Sequence, residues 1–294
     1  MDFFDSFPAM ERQDLRDLKK GIDSSFRDFS RAYGDEIEGF FEPLLHFLVW
    51  LEKLLVNAPW PVVIIGLAIL AWLGSRSWKL VTGTVIAFLV IGYFGMWKDT
   101  MATLAIISVA TLLCIAVGIP FGIWMAKSDR VQAAITPVLD VMQTIPSFVY
   151  LIPVMMLFGI TDTSVLIAVI VYATIPATRY TIEGLRSVPV GLHEAATMSG
   201  VNKFQRLTKI EFPLAFPHMM LGLNQTIVFA LFMVIIGAFI GTEDLGQYIL
   251  KALSDKNGAG IGLTLGICVA FIGLIFDNLI RTWVGKRKKH LGID

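Results

Sequence analysis

Residues 101–126 read MATLAIISVATLLCIAVGIPFGIWMA, an apolar stretch without a charged side chain. A helix needs roughly 20 such residues to cross the hydrocarbon core of a bilayer. A helix that is apolar on every face is either buried in a large core or lies in a membrane. The stretch is therefore predicted to span a membrane as one helix.

The rest of the chain has the same character. It has 294 residues, of which 55% are hydrophobic and 16% charged, and its mean hydropathy is +0.70. Six more apolar stretches have spanning or near-spanning length: 59–75, 79–97, 132–160, 163–182, 216–241 and 261–284. We therefore predict an all-α, polytopic membrane protein with about seven transmembrane helices.

Composition argues against several other classes of protein. The formal net charge is zero, and the basic residues form no patch interleaved with aromatic side chains, so nucleic-acid binding is not expected. Cys114 and Cys268 each lie inside an apolar stretch, and the four histidines contain no i, i+4 pair. These spacings predict neither a disulfide framework nor a metal site.

Lysine and arginine are concentrated in alternate loops. They follow the first, third, fifth and seventh spans, at Arg76 and Lys79, at Lys127 and Arg130, in the stretch 179–209 and at residues 286–289. The intervening loops carry no excess of positive charge. Because cytoplasmic loops are enriched in lysine and arginine, we expect a cytoplasmic C-terminus and an N-terminus outside.

The first 57 residues form a separate region. They contain seven lysines and arginines against twelve acidic residues, and they lack the basic and apolar segments of a signal peptide. Within them, residues 40–56 are amphipathic, and they are expected either to lie in the membrane interface or to pack on the spans. We assign residues 1–57 as an extracytoplasmic or interfacial amphipathic region and residues 58–98 as two accessory transmembrane helices.

Three prolines fall within the fourth apolar stretch, at positions 137, 146 and 153. Each proline removes a backbone donor and bends or interrupts a helix. Freed carbonyl groups at membrane depth are tolerated where they are buried in protein or face a water-filled cavity. The fourth stretch is therefore predicted to be a broken helix beside a translocation path.

A sequence motif lies between the fifth and sixth spans. It reads Glu194-Ala195-Ala196-Thr197-Met198-Ser199-Gly200 and, nine residues later, Ile210-Glu211-Phe212-Pro213. Helices are expected at 190–198 and 202–210, the second ending before the proline, with a sharp turn between them at the glycine. Two short helices joined by a tight turn form a knob that suits a cleft on a partner protein.

This spacing resembles the EAA signature of ABC importer permeases, which defines their cytoplasmic coupling loop. Phe212 stands where leucine is usual and keeps an apolar side chain. The resemblance implies a five-helix ABC importer permease core at 99–289, a tail at 290–294 and a coupling loop at 190–213. It also implies a set of ATPase-coupling residues, namely Glu194, Ala195, Ala196, Gly200, Ile210 and Pro213.

Residues 140–150 and 240–246, together with the coupling loop, are similar to the membrane subunits of bacterial quaternary-amine importers, the ProW-like permeases. This similarity implies a homodimer in the bacterial inner membrane with two ATPase subunits and a periplasmic or lipid-anchored substrate-binding protein. The implied substrate is glycine betaine, choline, proline betaine or trimethylamine N-oxide. The chain has no Gly-x4-Gly-Lys-Ser/Thr loop. We therefore expect no cofactor in this chain, with ATP and Mg²⁺ bound by the partner ATPase.

Polar residues inside the spans are candidates for the lining of the path. These are Asp140, Gln143 and Thr144 in the fourth span and Asn224 in the sixth, and Pro146 is a further candidate because it interrupts the fourth span. An ionised carboxylate in a membrane needs a partner or water, so Asp140 serves either the path, a helix–helix hydrogen bond or a position near the headgroups. Asp277 and Arg281 have i, i+4 spacing, which predicts a local ion pair.

Three other functions compete with the importer reading. A secondary transporter needs an ion-coupling site, for which Asp140 is the single candidate, and often an inverted repeat, which the sequence does not show. An intramembrane enzyme needs a nucleophile with a base, or a metal pair, within the spans. A structural assembly subunit predicts that changes at Glu194 or Gly200 leave transport intact.

Overall fold

The computed structural model describes residues 9–241, 245–255 and 257–291, and it is helical almost throughout, with no strand in those residues. The helices are α1 (Arg12–Asn57), α2 (Trp60–Ser75), α3 (Trp78–Tyr93), α4 (Trp97–Ala126), α5 (Asp129–Thr144), α6 (Leu151–Phe158), α7 (Asp162–Arg186), α8 (Val190–Met198), α9 (Lys203–Arg206), α10 (Phe212–Gly237), α11 (Leu245–Ser254) and α12 (Ala259–Leu291). The all-α prediction is confirmed.

Within the described residues, four helical stretches are long and apolar enough to cross a membrane alone. They are Trp97–Ala126, Asp162–Arg186, Lys203–Ile240 and Ala259–Gly285. The number rises to six if each of two bent pairs, α1 with α2 and α5 with α6, forms one span. Each of the seven predicted apolar stretches contains a helix, but their number as spans stays a prediction.

Side-chain caps fix the starts of two helices that follow short loops. The hydroxyl of Ser128 accepts a hydrogen bond from the Val131 N–H at 3.4 Å before α5, and that of Thr161 accepts one from the Ser164 N–H at 3.3 Å before α7. Each satisfies a donor that the first helical turn leaves without a partner. An acidic residue follows each cap, Asp129 or Asp162, and favours the positive end of the helix dipole.

Helices α4, α7 and α10 form the centre of the molecule, and α7 packs along both of the others. Small residues allow the close approach of α4 and α7. A Cβ placed on Gly122 would lie 2.8 Å from the carbonyl oxygen of Thr178 and 2.7 Å from the Cβ of Thr181. In membranes, where apolar burial gives no drive to helix association, such close packing is what holds helices together.

The predicted broken helix is confirmed between α5 and α6. The chain bends by 107° there and passes through one short 3-10 turn, Ser147–Tyr150. Of the three prolines, Pro146 stands at the break, whereas Pro137 lies inside α5 and Pro153 in the first turn of α6. Proline is tolerated in a first helical turn because the N–H groups there have no helical acceptor.

The remaining helices flank this centre on two sides. Helices α2 and α3 pack on each other and on α12, which packs on α10. Helix α1 is one continuous helix that includes residues 40–56 and packs on α4 and α6. Leu48 is fully buried, and the ring of Phe41 contacts that of Phe158 at 6.4 Å between centroids. Of the two readings left open for residues 40–56, this contact favours packing on the spans.

Candidate functional site

The coupling loop, residues 190–213, begins with α8, whose bounds match the predicted helix. Its end is a tight turn in which the Gly200 N–H donates to the Thr197 carbonyl at 3.1 Å and the Val201 N–H donates to the Ala196 carbonyl at 3.1 Å. Gly200 has a φ of +72°, a left-handed conformation that glycine adopts without steric cost. This is the Schellman arrangement of a helix end, and it reverses the chain toward α9.

The second helix of the loop differs from the prediction. Helix α9 starts at an Asn202–Gln205 capping box, but the chain does not leave the helix before Pro213. It continues through a π-turn, Leu207–Glu211, directly into α10, which holds Pro213 in its first turn. The Phe212 N–H donates to the carbonyl of Leu207, five residues earlier, so the wider turn accommodates the proline ring.

A buried carboxylate ties the two helices of the loop together. Glu211 is only 6% exposed, and its Oε1 accepts a hydrogen bond from Arg206 Nε at 2.9 Å. The same oxygen lies 3.4 Å from Nδ1 of His193 on α8. A carboxylate buried among helices needs such partners, and here the partners come from both helices of the loop. Glu211 therefore fixes α8 against the π-turn.

The predicted coupling residues divide into an exposed and a covered group. Glu194, Ala195 and Gly200 are exposed, Ala196 is buried, and Ile210 and Pro213 are half-buried at the root of α10. The exposed members lie on α8 and its turn, where another protein can reach them. The covered members hold the loop against the rest of the chain.

The coupling loop exposes several large apolar side chains. Met198 is 91% exposed, Phe204 73% and Val190 70%. Met198 and Phe204 flank the turn at Gly200, so both lie at the tip of the knob. Exposed apolar side chains grouped in this way make the tip of the knob a candidate interaction surface.

Asp140 forms an ion pair across two helices. Its carboxylate accepts a hydrogen bond from Nη2 of Arg179 on α7. A second pair between the same helices joins Asp129 to Arg186 at 2.6 Å, near the start of α5 and the end of α7. The contact of Asp140 agrees with the helix–helix alternative for this residue, and its place in a path stays a prediction.

Gln143, Thr144 and Pro146 lie exposed at the end of α5, beside the break. The Thr144 hydroxyl donates to the Val141 carbonyl at 2.9 Å within its own helix. No polar side chain from a neighbouring described helix is hydrogen-bonded to these three residues. Their exposure leaves them accessible to a solute or to a second copy of the chain.

Asn224 is buried between α10 and α12. Its Nδ2 donates to Oδ1 of Asp277 at 2.7 Å, and Asp277 in turn accepts hydrogen bonds from Arg281 Nε at 2.8 and 2.7 Å. The predicted pair of Asp277 with Arg281 is confirmed. Asn224 is only 7% exposed. Its role in a path stays a prediction that this burial does not favour.

Histidine, cysteine and acidic residues form no group of three that could hold a metal ion within the described residues. Cys114 and Cys268 are buried and unpaired in their spans. Of the 240–246 motif, Thr242, Glu243 and Asp244 lie outside the described residues, as do residues 292–294 of the tail.

Sequence reasoning missed the partners of Glu211. The residue stands inside the motif between Ile210 and Phe212, so a carboxylate in apolar surroundings was visible. Its partners His193 and Arg206 lie at spacings that a regular helix does not bring together. Only the π-turn, which shifts the helical repeat, places residue 206 beside residue 211.

Comparison with known proteins identifies relatives over most of the chain. Residues 118–290 match the family described as binding-protein-dependent transport system inner membrane component. The trimethylamine N-oxide transport system permease protein TmoV of Pelagibacter ubique is 71% identical over 220 residues, which are 75% of this chain and 30% of the relative. The chain spans about a third of the length of the two TmoV relatives that it matches.

A second relative matches nearly the whole of this chain. The glycine betaine/proline betaine transport system permease protein ProW of Escherichia coli is 38% identical over 275 residues, 94% of this chain and 76% of the relative. Among solved structures, an inward-facing form of the MetNI methionine ABC transporter matches with a TM-score of 0.60 and 17% identity, over 65% of this chain and 95% of that chain. At this identity the likeness concerns the fold alone. The chain belongs to the family of binding-protein-dependent transport system inner membrane components and, within it, to the ProW-like ABC importer permeases.

Proposed function

We propose that this chain is the membrane-spanning permease subunit of an ATP-driven, binding-protein-dependent importer. It acts with a second copy of itself, two ATPase subunits that bind ATP and Mg²⁺, and a periplasmic or lipid-anchored substrate-binding protein. The chain itself forms the path for the solute and does not hydrolyse ATP. Membrane lipid surrounds the spans, and nucleic acid is not a partner.

One observation carries the proposal, namely the construction of the coupling loop. Glu211 holds its two helices together from inside, and Met198 and Phe204 stand exposed at its tip. Exposed apolar side chains on a rigid knob suit a cleft on an ATPase subunit, where their burial stabilises the contact. Glu194, exposed on α8, can pair with an arginine there.

The substrate is a small methylated or quaternary amine, either trimethylamine N-oxide, glycine betaine, proline betaine or choline. Support comes from the relatives, since TmoV is named for trimethylamine N-oxide and ProW for glycine betaine and proline betaine. The identity to TmoV is the greater, 71% against 38%. We therefore place trimethylamine N-oxide first in the order of testing.

The mechanism is alternating access. Closure of the two ATPase subunits moves the coupling loop, and α7 and α10, which enter and leave the loop, move with it. The path between two copies then opens alternately to either side. This mechanism requires a cytoplasmic coupling loop. With the predicted seven spans and basic cytoplasmic loops, it places the N-terminus outside and the C-terminus in the cytoplasm of a cell bounded by the bacterial inner membrane.

The proposal is tested with the complete system in proteoliposomes. Labelled trimethylamine N-oxide, glycine betaine and choline are offered together with the binding protein, with and without internal ATP. The double variant Met198→Ser and Phe204→Ser is compared with Phe40→Ser, since Phe40 is 78% exposed on α1, away from the coupling loop. We expect ATP-dependent uptake by the wild-type protein, no uptake by the double variant and full uptake by Phe40→Ser.

Two results would overturn the proposal. Uptake that is abolished by a protonophore but indifferent to ATP would identify an ion-coupled secondary transporter instead. Copurification of the ATPase subunits with the double variant at the wild-type yield would remove the coupling loop from the contact.

A further inference from the structure

Three aromatic rings from separate elements meet beside the break between α5 and α6. The ring of Tyr150, in the 3-10 turn, lies 5.7 Å from that of Tyr172 on α7, with a tilt of 50° between their planes. Tyr172 in turn stacks on Phe229 of α10 at 5.0 Å, with 17° between the planes. We refer to these three residues as the aromatic cluster.

The break itself fixes the position of Tyr150. In a continuous helix the carbonyl of Met142 accepts from the N–H of residue 146, but that residue is a proline and has none. The Tyr150 hydroxyl donates to this carbonyl instead, at 2.5 Å. One hydrogen bond therefore satisfies the freed carbonyl and holds the Tyr150 ring against Tyr172.

The aromatic cluster lies deep within the helices. Tyr172 is ten residues into the 25 residues of α7, about 15 Å along its axis from Asp162. Tyrosine is usually found at the membrane interface, where its hydroxyl meets water. Irregular backbone at such depth is found where it is buried in protein or lines a cavity.

The rings are half-buried rather than buried, so part of each remains open in the single chain. By contrast, Ile175, Met233 and Val169 on the same two helices are almost fully covered. The cluster is thus a partly open group of rings beside the broken helix that was predicted to border the path, and in it Tyr172 and Phe229 cover one face of each other.

We propose that the aromatic cluster is a transient binding station for the methylated ammonium group of the solute, an inference that rests on the proposed function. Ring faces attract a quaternary ammonium through the ring quadrupole. No carboxylate takes part in the cluster, and the nearest charged residue along α7, Arg179, is paired with Asp140. An uncharged site of this kind binds weakly, which suits a station that a solute must also leave.

The test measures uptake of labelled trimethylamine N-oxide and glycine betaine by the complete system with saturating binding protein. We expect Tyr172→Leu to lower the maximal uptake rate at least about twofold, the low end of a cation–π contribution, while Tyr172→Phe keeps most of it. The KM for the loaded binding protein should remain unchanged, and so should the yield of copurified ATPase subunits. Tyr93→Leu is the matched control, because Tyr93 is 89% exposed at the end of α3.

A second measurement covers the case in which Tyr172→Leu does not assemble. Fluorinated phenylalanines at position 229 keep the size of the ring and weaken its negative face, so we expect the uptake rate to fall with each added fluorine. An uptake rate that does not change with the number of fluorines, or equal rates for Tyr172→Leu and Tyr93→Leu, would overturn the binding role of the aromatic cluster. Neither result would affect the proposed importer function. Failure of the wild-type system to take up any methylated amine overturns both.

Discussion

Replacing Gly122 with alanine tests the packing of α4 on α7. The new Cβ would stand 2.8 Å from the Thr178 carbonyl oxygen, whereas ordinary contacts begin at 3.4 Å. The two helices must therefore separate by about 0.6–0.7 Å, since the Cβ of Thr181 lies closer still at 2.7 Å, or the backbone must shift by that amount. Because Thr178 O is backbone, no flexible side chain can absorb the overlap.

The expected cost follows from two opposing terms. Overpacking of a well-packed core destabilises by about 1–3 kcal/mol. Alanine in place of glycine inside a helix stabilises the folded state by about 1 kcal/mol, because alanine has the higher helix propensity. We therefore expect Gly122→Ala to lower the free energy of unfolding by about 0–2 kcal/mol, and by about 1–3 kcal/mol relative to an alanine that meets no neighbour.

Gly66→Ala in α2 is the matched control, since a Cβ there meets nothing within 4 Å. It carries the propensity term without the overlap, so we expect it to be neutral or slightly stabilising. Thermal unfolding of the purified chain in a mild detergent, at equal protein and detergent concentrations, compares the two variants with the wild type. Equal stability of Gly122→Ala and Gly66→Ala would refute the reasoning from close helix contact.

Three further substitutions test the coupling loop and the break. Glu211→Ala leaves the Arg206 guanidinium without its carboxylate. The same thermal assay should show a loss of about 1–3 kcal/mol in the free energy of unfolding, toward the low end because Arg206 is about one-third exposed to solvent. Unchanged stability would contradict the role of Glu211. Gly200→Ala puts a Cβ on a residue in the left-handed conformation, at a cost of about 1–2 kcal/mol. We expect a lower yield of copurified ATPase subunits than with the control Gly191→Ala, where a Cβ meets open space. Equal yields would mean that the turn at Gly200 is not needed for the ATPase contact. Tyr150→Phe removes the hydroxyl that donates to the Met142 carbonyl at the break. Amide deuterium exchange of residues 147–158 should therefore become faster, by up to about tenfold. Unchanged exchange would mean that this hydrogen bond does not stabilise the segment after the break.

Much of the fold could be predicted because a bilayer restricts the solutions. Apolar length alone located a helix in each of the seven stretches, since a chain in lipid must satisfy its backbone internally. A break in the fourth stretch followed from its three prolines, although only the structure shows that Pro146 stands at it; the bounds of α8 followed from its composition and the glycine after it. These features depend on local chemistry, which a sequence displays directly.

Contacts between elements distant in sequence were harder to predict. The partner of Asp140 is Arg179, 39 residues later, and nothing in the spacing of the two residues indicates that α5 and α7 bring them together. Asn224 was expected near a path because it is polar, yet its amide is bonded to Asp277, 53 residues away. A polar residue in a span signals that a partner exists but not which helix provides it.

The root of the coupling loop shows how local and distant features combine. The π-turn makes α9 and α10 one continuous helical rod, so a displacement of the knob cannot be absorbed by a flexible hinge at Pro213. At the other end of the loop, a Cβ on Gly184 would lie 2.9 Å from the carbonyl oxygen of Ala215, which places α7 directly against the same rod. Both ends of the knob thus enter helices that are in close contact. A force on the knob should therefore move α7 and α10 together as one body, and with them two of the three rings of the aromatic cluster, Tyr172 and Phe229.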